Sequence, residues 1–133
     1  MKQRMIRILM AKMGEGGGEA ILKLSKAFRD AGFEVIFTDT QKTEAIVASA
    51  VQEAVDHIGI TTFPGANLSN LGRIRKQLDE EGLPEIQITA GGFIEEKDMP
   101  AIRDMGVAEF FLPGTSIEEL IAWARKNIKS CYN

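Results

Sequence analysis

The 133-residue sequence contains one cysteine, Cys131, and one histidine, His57. A single cysteine excludes a disulfide framework, and it leaves no cysteine cluster that could bind structural zinc. Few cysteines are typical of proteins from a reducing compartment, so we expect a cytoplasmic protein.

The sequence also lacks long apolar runs and an excess of basic residues. No apolar run reaches the roughly 18 residues that a membrane-spanning helix needs, and the short run after the basic N-terminus is not a signal-peptide core. The net charge is −3, from 16 basic and 19 acidic residues, which argues against a nucleic-acid partner. With 44% hydrophobic residues, the chain is expected to fold as one globular domain over residues 1–133.

Five short apolar runs alternate with five amphipathic helical patterns. The predicted strands cover residues 4–10, 34–38, 58–63, 86–90 and 109–112. Short connections between uninterrupted apolar strands are typical of a parallel sheet with helices on both faces. Because five units are too few for an eight-fold barrel, the alternation predicts an α/β fold with an open, doubly wound, five-stranded sheet.

Four of the predicted strand-to-helix turns consist largely of small or hydroxyl residues. These turns cover residues 14–18, 61–65, 91–92 and 113–116. All of them follow strands, so they would lie at the carboxyl edge of the sheet, where such folds bind ligands. Each turn alone also has a plain structural explanation, because Gly14–Gly18 could be a connector and Thr115 or Ser116 a helix cap.

Several of these segments carry a family resemblance. Residues 29–36, 58–62, 91–92 and 113–119 resemble, in order and spacing, the cobalamin-binding domain of methylmalonyl-CoA mutase and its relatives. The resemblance covers about residues 4–128. It implies a flavodoxin-like fold with strand order 2-1-3-4-5, adenosylcobalamin as cofactor, and a mutase large subunit with a substrate-binding barrel as partner.

The resemblance also implies which residues hold the cofactor. In the family, a Ser-x-Leu turn and a Gly-Gly turn line a slot for the dimethylbenzimidazole tail, and an aromatic residue and a threonine lie beside it. The predicted cofactor-binding residues are Glu15, Gly16, Gly17, Gly18, Thr61, Thr62, Phe63, Gly65, Gly91, Gly92, Phe111, Gly114 and Thr115. No catalytic residue and no protein ligand to the metal is predicted.

The first turn departs from the family pattern, Asp-x-His-x-x-Gly, whose histidine binds cobalt. Glu15 aligns with the aspartate, Gly17 with the histidine and Ala20 with the final glycine. His57 is no substitute, because it starts the third strand about 16 Å from Thr62 at about 3.3 Å per residue. We therefore expect His57 to be a structural or surface residue at the far end of the sheet from the ligand.

Three functions follow as alternatives. The first is a cobalamin-binding domain or small subunit of an adenosylcobalamin-dependent acyl-CoA mutase, inactive without its partner. The second is a cobalamin carrier or regulatory module that keeps the cofactor's own base on cobalt. The third is a degenerate module that binds a partner or a small anion at the glycine turn. Whether the chain forms a homo-oligomer is also left open by the sequence.

Overall fold

The computed structural model describes residues 5–132, in which strands and helices alternate along the chain. The strands are β1 (Arg7–Met13), β2 (Glu34–Phe37), β3 (His57–Thr62), β4 (Gln87–Gly92) and β5 (Glu109–Phe111). The α-helices are α1 (Gly18–Asp30), α2 (Thr43–Gln52), α3 (Ser69–Glu80), α4 (Met99–Asp104) and α5 (Ile117–Asn127), and a short 3₁₀ turn at Glu96–Asp98 precedes α4.

The strands form one sheet in the order β2-β1-β3-β4-β5, and every neighbouring pair is parallel. This arrangement confirms the predicted doubly wound fold and strand order. All strands therefore end at the same edge, and the turns that follow β1, β3, β4 and β5 lie there together. The prediction of a single domain over residues 1–133 includes residues outside the described range and stays a prediction.

The two faces of the sheet differ in how well they are filled. On one face, alternate strand residues such as Ile58, Ile60 and Ile88 pack in a large apolar core with α2 and α3. On the other face, Ile8 and Met10 pack against Phe28 of α1 and Ala124 of α5 in a smaller core. The smaller core leaves unfilled space on the α1 and α5 side.

Two strands extend beyond their predicted ends. β1 continues to Met13 rather than stopping at residue 10, because Ala11 and Met13 are buried in the larger core and pair with β3. β4 includes Gly91 and Gly92 as paired strand residues rather than as a turn. Residue 4, predicted to begin β1, lies outside the described residues. Among residues 5–132, no helix combines the length and the apolar character that a bilayer crossing requires.

His57 begins β3 and is 2% exposed. Its Nε2 atom lies 2.8 Å from Oγ1 of Thr89 on β4, and the two share a hydrogen bond. Burial disfavours the charged imidazolium and lowers the pKa of His57 to about 4. The imidazole is therefore neutral in the folded protein at pH 7.

This burial predicts a loss of stability in mild acid. The unfolded chain binds a proton on His57 near the ordinary pKa of 6.5, whereas the folded chain binds it only near 4. Acid therefore favours the unfolded state, and the stability present above pH 6.5 falls as the pH drops towards 4. Between pH 7 and pH 5, the free energy of unfolding should fall by about 2 kcal/mol more in the native chain than in His57→Val.

Urea unfolding of both proteins across this range measures the difference. Comparing how steeply the free energy of unfolding changes with pH removes any constant effect of the substitution on stability. Parallel pH profiles for the two proteins would show that His57 keeps its ordinary pKa in the folded state.

Candidate functional site

A cavity of about 230 Å³ lies between the sheet and helices α1 and α5. At the carboxyl edge it is lined by Thr61, Gly91, Gly92 and the loop at residues 112–115. The residues of this loop are exposed or half-buried, whereas His57 and Ala124 at the other end are buried. The cavity is therefore a slot that opens at the carboxyl edge and runs down along the sheet.

The slot exists because small residues occupy strand positions that face α1 and α5. Gly59 lies between His57 and Thr61 on this face of β3, and a Cβ atom there would be 3.9 Å from both Ile8 Cγ2 and Thr89 Oγ1. A side chain could therefore be added at Gly59 without a clash, and its absence leaves space. At Gly91 a Cβ atom would lie 3.1 Å from the carbonyl oxygen of Phe111, so glycine also permits close pairing with β5.

Aromatic rings form one wall of the slot. Phe111 packs edge-on against Trp123 of α5, with ring centroids 5.5 Å apart and planes at 82°. Trp123 in turn lies 6.3 Å from the ring of His57. The rings thus run from the mouth to the floor, and no Asp, Glu, Lys or Arg of the described chain lines the cavity. Such a site suits a flat, largely apolar group.

The first turn lies beside the slot rather than in it. Backbone hydrogen bonds join it to the turn after β3, since Glu15 N donates to Pro64 O at 3.0 Å and Phe63 N donates to Met13 O at 2.8 Å. The Gln41 side chain also holds this turn through two hydrogen bonds with the backbone of Gly14. The first turn is therefore fixed in place by neighbouring chain segments.

Gly17 occupies the position that the resemblance assigns to a cobalt-binding histidine. Its φ of 79° lies in the left-handed region, which non-glycine residues rarely adopt. A Cβ atom at Gly17 would overlap the ring of Phe63. The phenylalanine ring thus fills the space into which a side chain at this position would project, and Gly17 itself offers no ligand for a metal.

The predicted site residues fall into two groups. Those that line the slot are Thr61, Gly91, Gly92, Phe111, Gly114 and Thr115. Those that lie beside it are Glu15, Gly16, Gly17, Phe63 and Gly65 in the two turns and Gly18 at the start of α1. Thr62 is buried, and its hydroxyl donates a 2.6 Å hydrogen bond to Phe93 O, so it holds the end of β4 rather than facing the slot.

His57 was expected to be a structural or surface residue at the far end of the sheet from the ligand. It is buried at the amino end of β3, and the slot extends far enough along the sheet for His57 to line it. The alternation of strand side chains provides the missed signal, because residues 57, 59 and 61 face the same side. Thr89 on β4 and Trp123 on α5 also line the slot and were not predicted.

The described chain offers no conventional metal centre. Among residues 5–132, no group of three or more His, Cys, Asp or Glu side chains is placed to hold a metal ion. The largely apolar lining of the slot suits an apolar part of a ligand, and Gly17 in the first turn has no side chain that could bind a metal.

Residues 19–122 match the family model for the B12 binding domain. The small subunit of 2-hydroxyisobutanoyl-CoA mutase from Aquincola tertiaricarbonis is 37% identical over 123 residues, which cover 91% of this chain and 90% of that subunit. The small subunit of pivalyl-CoA mutase from Xanthobacter autotrophicus is 32% identical over 120 residues, covering 89% and 80% of the two chains. The methylmalonyl-CoA mutase large subunit from Propionibacterium freudenreichii is 38% identical over 115 residues, and this chain spans 16% of its length.

Solved structures share the fold at low sequence identity. A cobalamin-binding protein from Desulfitobacterium hafniense superposes with a TM-score of 0.75 at 16% identity, covering 95% of this chain and 60% of that one. A response regulator from Thermotoga maritima gives a TM-score of 0.69 at 17% identity, covering 92% and 97%. The fold alone is therefore shared with proteins of other kinds, whereas the family match spans most of the sequence. This chain belongs to the B12-binding domain family.

Proposed function

We propose that this chain is the cobalamin-binding small subunit of an adenosylcobalamin-dependent acyl-CoA mutase. The slot between the sheet and helices α1 and α5 is the observation that carries the proposal. Its aromatic wall and uncharged lining suit the base at the end of the cobalamin tail. The two mutase small subunits that resemble this chain over most of their length support the same assignment.

The residues at the mouth of the slot would hold the upper part of the tail. Thr61 offers a hydroxyl there, and Gly91 and Gly92 let a ligand approach the backbone closely. When bound, adenosylcobalamin supplies the radical that starts the rearrangement. The chain's own task is to bind the cofactor and orient it.

The surface around the mouth suits contact with another protein. Phe93 and Leu112 follow β4 and β5 at the carboxyl edge, with exposed fractions of 47% and 52%. Exposed apolar side chains beside a ligand site are typical of surfaces that another molecule covers. A mutase large subunit that binds the acyl-CoA substrate is the proposed partner.

The slot itself carries none of the groups that acyl-CoA chemistry requires. Its described lining holds no charged side chain that could bind the phosphates of coenzyme A, and His57 lies buried at the floor. We therefore assign the substrate site to the proposed partner.

One observation favours a second function, a cobalamin module without mutase activity. The family's histidine position holds Gly17, and the ring of Phe63 fills the space beside it. A carrier or regulatory protein needs only to hold the cofactor, so it could lack this ligand. The two functions differ in activity with a partner, whereas both require cobalamin to bind.

The missing ligand yields a spectroscopic prediction. We expect the cobalt(II) form of cobalamin bound to this chain to have no protein nitrogen on cobalt, because Gly17 has no side chain and Glu15 offers only carboxylate oxygens. Electron paramagnetic resonance of nitrogen-15-labelled protein tests this directly. A nitrogen hyperfine pattern that changes with the protein label would contradict the prediction.

A designed ligand provides the positive control. Gly17→His alone should not place an imidazole on cobalt, because its Cβ would overlap the Phe63 ring. The double variant Gly17→His/Phe63→Ala removes that overlap and should show the label-dependent pattern. Gly17→Ala/Phe63→Ala is the matched control, since it also places a non-glycine residue at the left-handed position 17 but has no imidazole.

Mutase activity should require a second protein. The chain with adenosylcobalamin alone is expected to isomerise neither methylmalonyl-CoA nor 2-hydroxyisobutanoyl-CoA. Isomerisation is expected only after a substrate-binding large subunit is added. The measurement is the conversion of each thioester followed by chromatography. Turnover by the chain alone would refute the division of labour, and failure to bind any cobalamin would refute the proposed function.

A further inference from the structure

The floor of the slot carries a polar pair that cofactor binding by shape alone does not explain. His57 and Thr89 both line the cavity and are 2% and 8% exposed, and they hydrogen-bond to each other. Around them the lining consists of apolar groups such as Ile8, Phe28 and Trp123. Polar groups buried in such surroundings are costly unless they are hydrogen-bonded.

The pair retains capacity for a further hydrogen bond. A neutral imidazole has one donor nitrogen and one acceptor nitrogen, and a threonine hydroxyl can donate one hydrogen bond and accept others. Among residues 5–132, the only hydrogen bond of the His57 side chain is the one through Nε2 to Thr89. A ligand that reaches the floor with polar atoms could therefore bond to groups already present there.

The direction in which a corrinoid tail enters determines which of its atoms meet this pair. The tail is tethered through its sugar and phosphate to the corrin ring, which is too large for the slot and must remain at the carboxyl edge. The base therefore enters with its attached ring towards the mouth and its six-membered ring towards the floor. In dimethylbenzimidazole that ring carries two methyl groups, whereas in adenine it carries ring nitrogens and an amino group.

We propose that His57 and Thr89 select the lower base of the corrinoid, favouring a purine base such as adenine over dimethylbenzimidazole. The inference rests on the proposed function, since it specifies which form of the cofactor the same slot takes. The two methyl groups of dimethylbenzimidazole would offer this pair no hydrogen bond beyond the one that the two residues already share. Purine nitrogens could instead form a further hydrogen bond with the His57 imidazole or the Thr89 hydroxyl.

The test is a set of absorption titrations with three corrinoids in their aquo forms at pH 7.5. They are cobalamin, the cobamide whose lower base is adenine, and cobinamide, which has no base. The native chain should bind the adenine cobamide about tenfold more tightly than cobalamin, the gain expected from one added hydrogen bond in an apolar site. Cobinamide should bind least tightly of the three.

Substitution of His57 should reverse this preference. In His57→Val the floor becomes apolar, so cobalamin should bind at least as tightly as the adenine cobamide. Thr89→Val should reduce the preference as well, whereas Thr89→Ser keeps the hydroxyl and should preserve it. Cobinamide affinity should stay unchanged in all three variants, which also reports that each variant is folded with an intact mouth.

Each alternative outcome has a distinct meaning. Equal or better binding of cobalamin by the native chain, or a preference that His57→Val leaves unchanged, would overturn the selection of the base while the proposed function stands. Cobinamide binding as tightly as both complete corrinoids would show that no base enters the slot. If none of the three corrinoids binds, the proposed function itself fails, and the inference fails with it.

Discussion

The slot depends on one packing constraint, which is the absence of side chains at Gly59 and Gly91 on the face of the sheet that α1 and α5 cover. On the opposite face, the alternate positions carry larger apolar side chains such as Ile58, Ile60 and Ile88, which pack with α2 and α3 in the larger core. The two strands thus carry a dense core on one side and a cavity on the other. Protein interiors are normally close-packed, so the cavity under these two helices is unusual, and the two glycines account for it.

Close packing also explains the glycines of the first turn. Gly14 and Gly17 both adopt left-handed backbone conformations. A Cβ atom at Gly14 would clash with the backbone of Phe63, and a Cβ atom at Gly17 would clash with the Phe63 ring. The two turns after β1 and β3 therefore interlock, and Phe63 lies where the family's ligand would project. The bulk of Phe63 and the absence of a side chain at Gly17 therefore go together, because a Cβ atom at Gly17 would overlap the ring.

The alternation of apolar runs and helical patterns was sufficient to predict the fold, because each strand contains a short apolar run and a helical pattern with a different spacing follows it. The strand order came from the family resemblance. The ends of β1 and β4 were less predictable, since Lys12 and the two glycines interrupt the apolar pattern although their backbones pair in the sheet.

The site was predicted only in part, for a geometric reason. Motif matching located Thr61, Gly91, Phe111 and Thr115 at the mouth, where the turns carry recognisable residues. It missed the floor, because the depth of a slot depends on which side chains share a face and on how closely helices approach the sheet. His57 and Trp123 are far apart in the sequence, and only the packing of α5 against the sheet brings their rings within 6.3 Å.

The central claim is that the slot receives the cofactor's tail, and filling the slot tests it most directly. Gly59→Val places two methyl groups in the cavity at a position where a Cβ atom makes only ordinary contacts, and valine suits a strand. Gly72→Ala on α3, away from the slot, is the control for replacing a glycine. We expect Gly59→Val to weaken cobalamin binding at least tenfold, towards the affinity of tail-less cobinamide, while cobinamide binding stays the same. Unchanged cobalamin affinity in Gly59→Val would show that the tail lies elsewhere than in the slot.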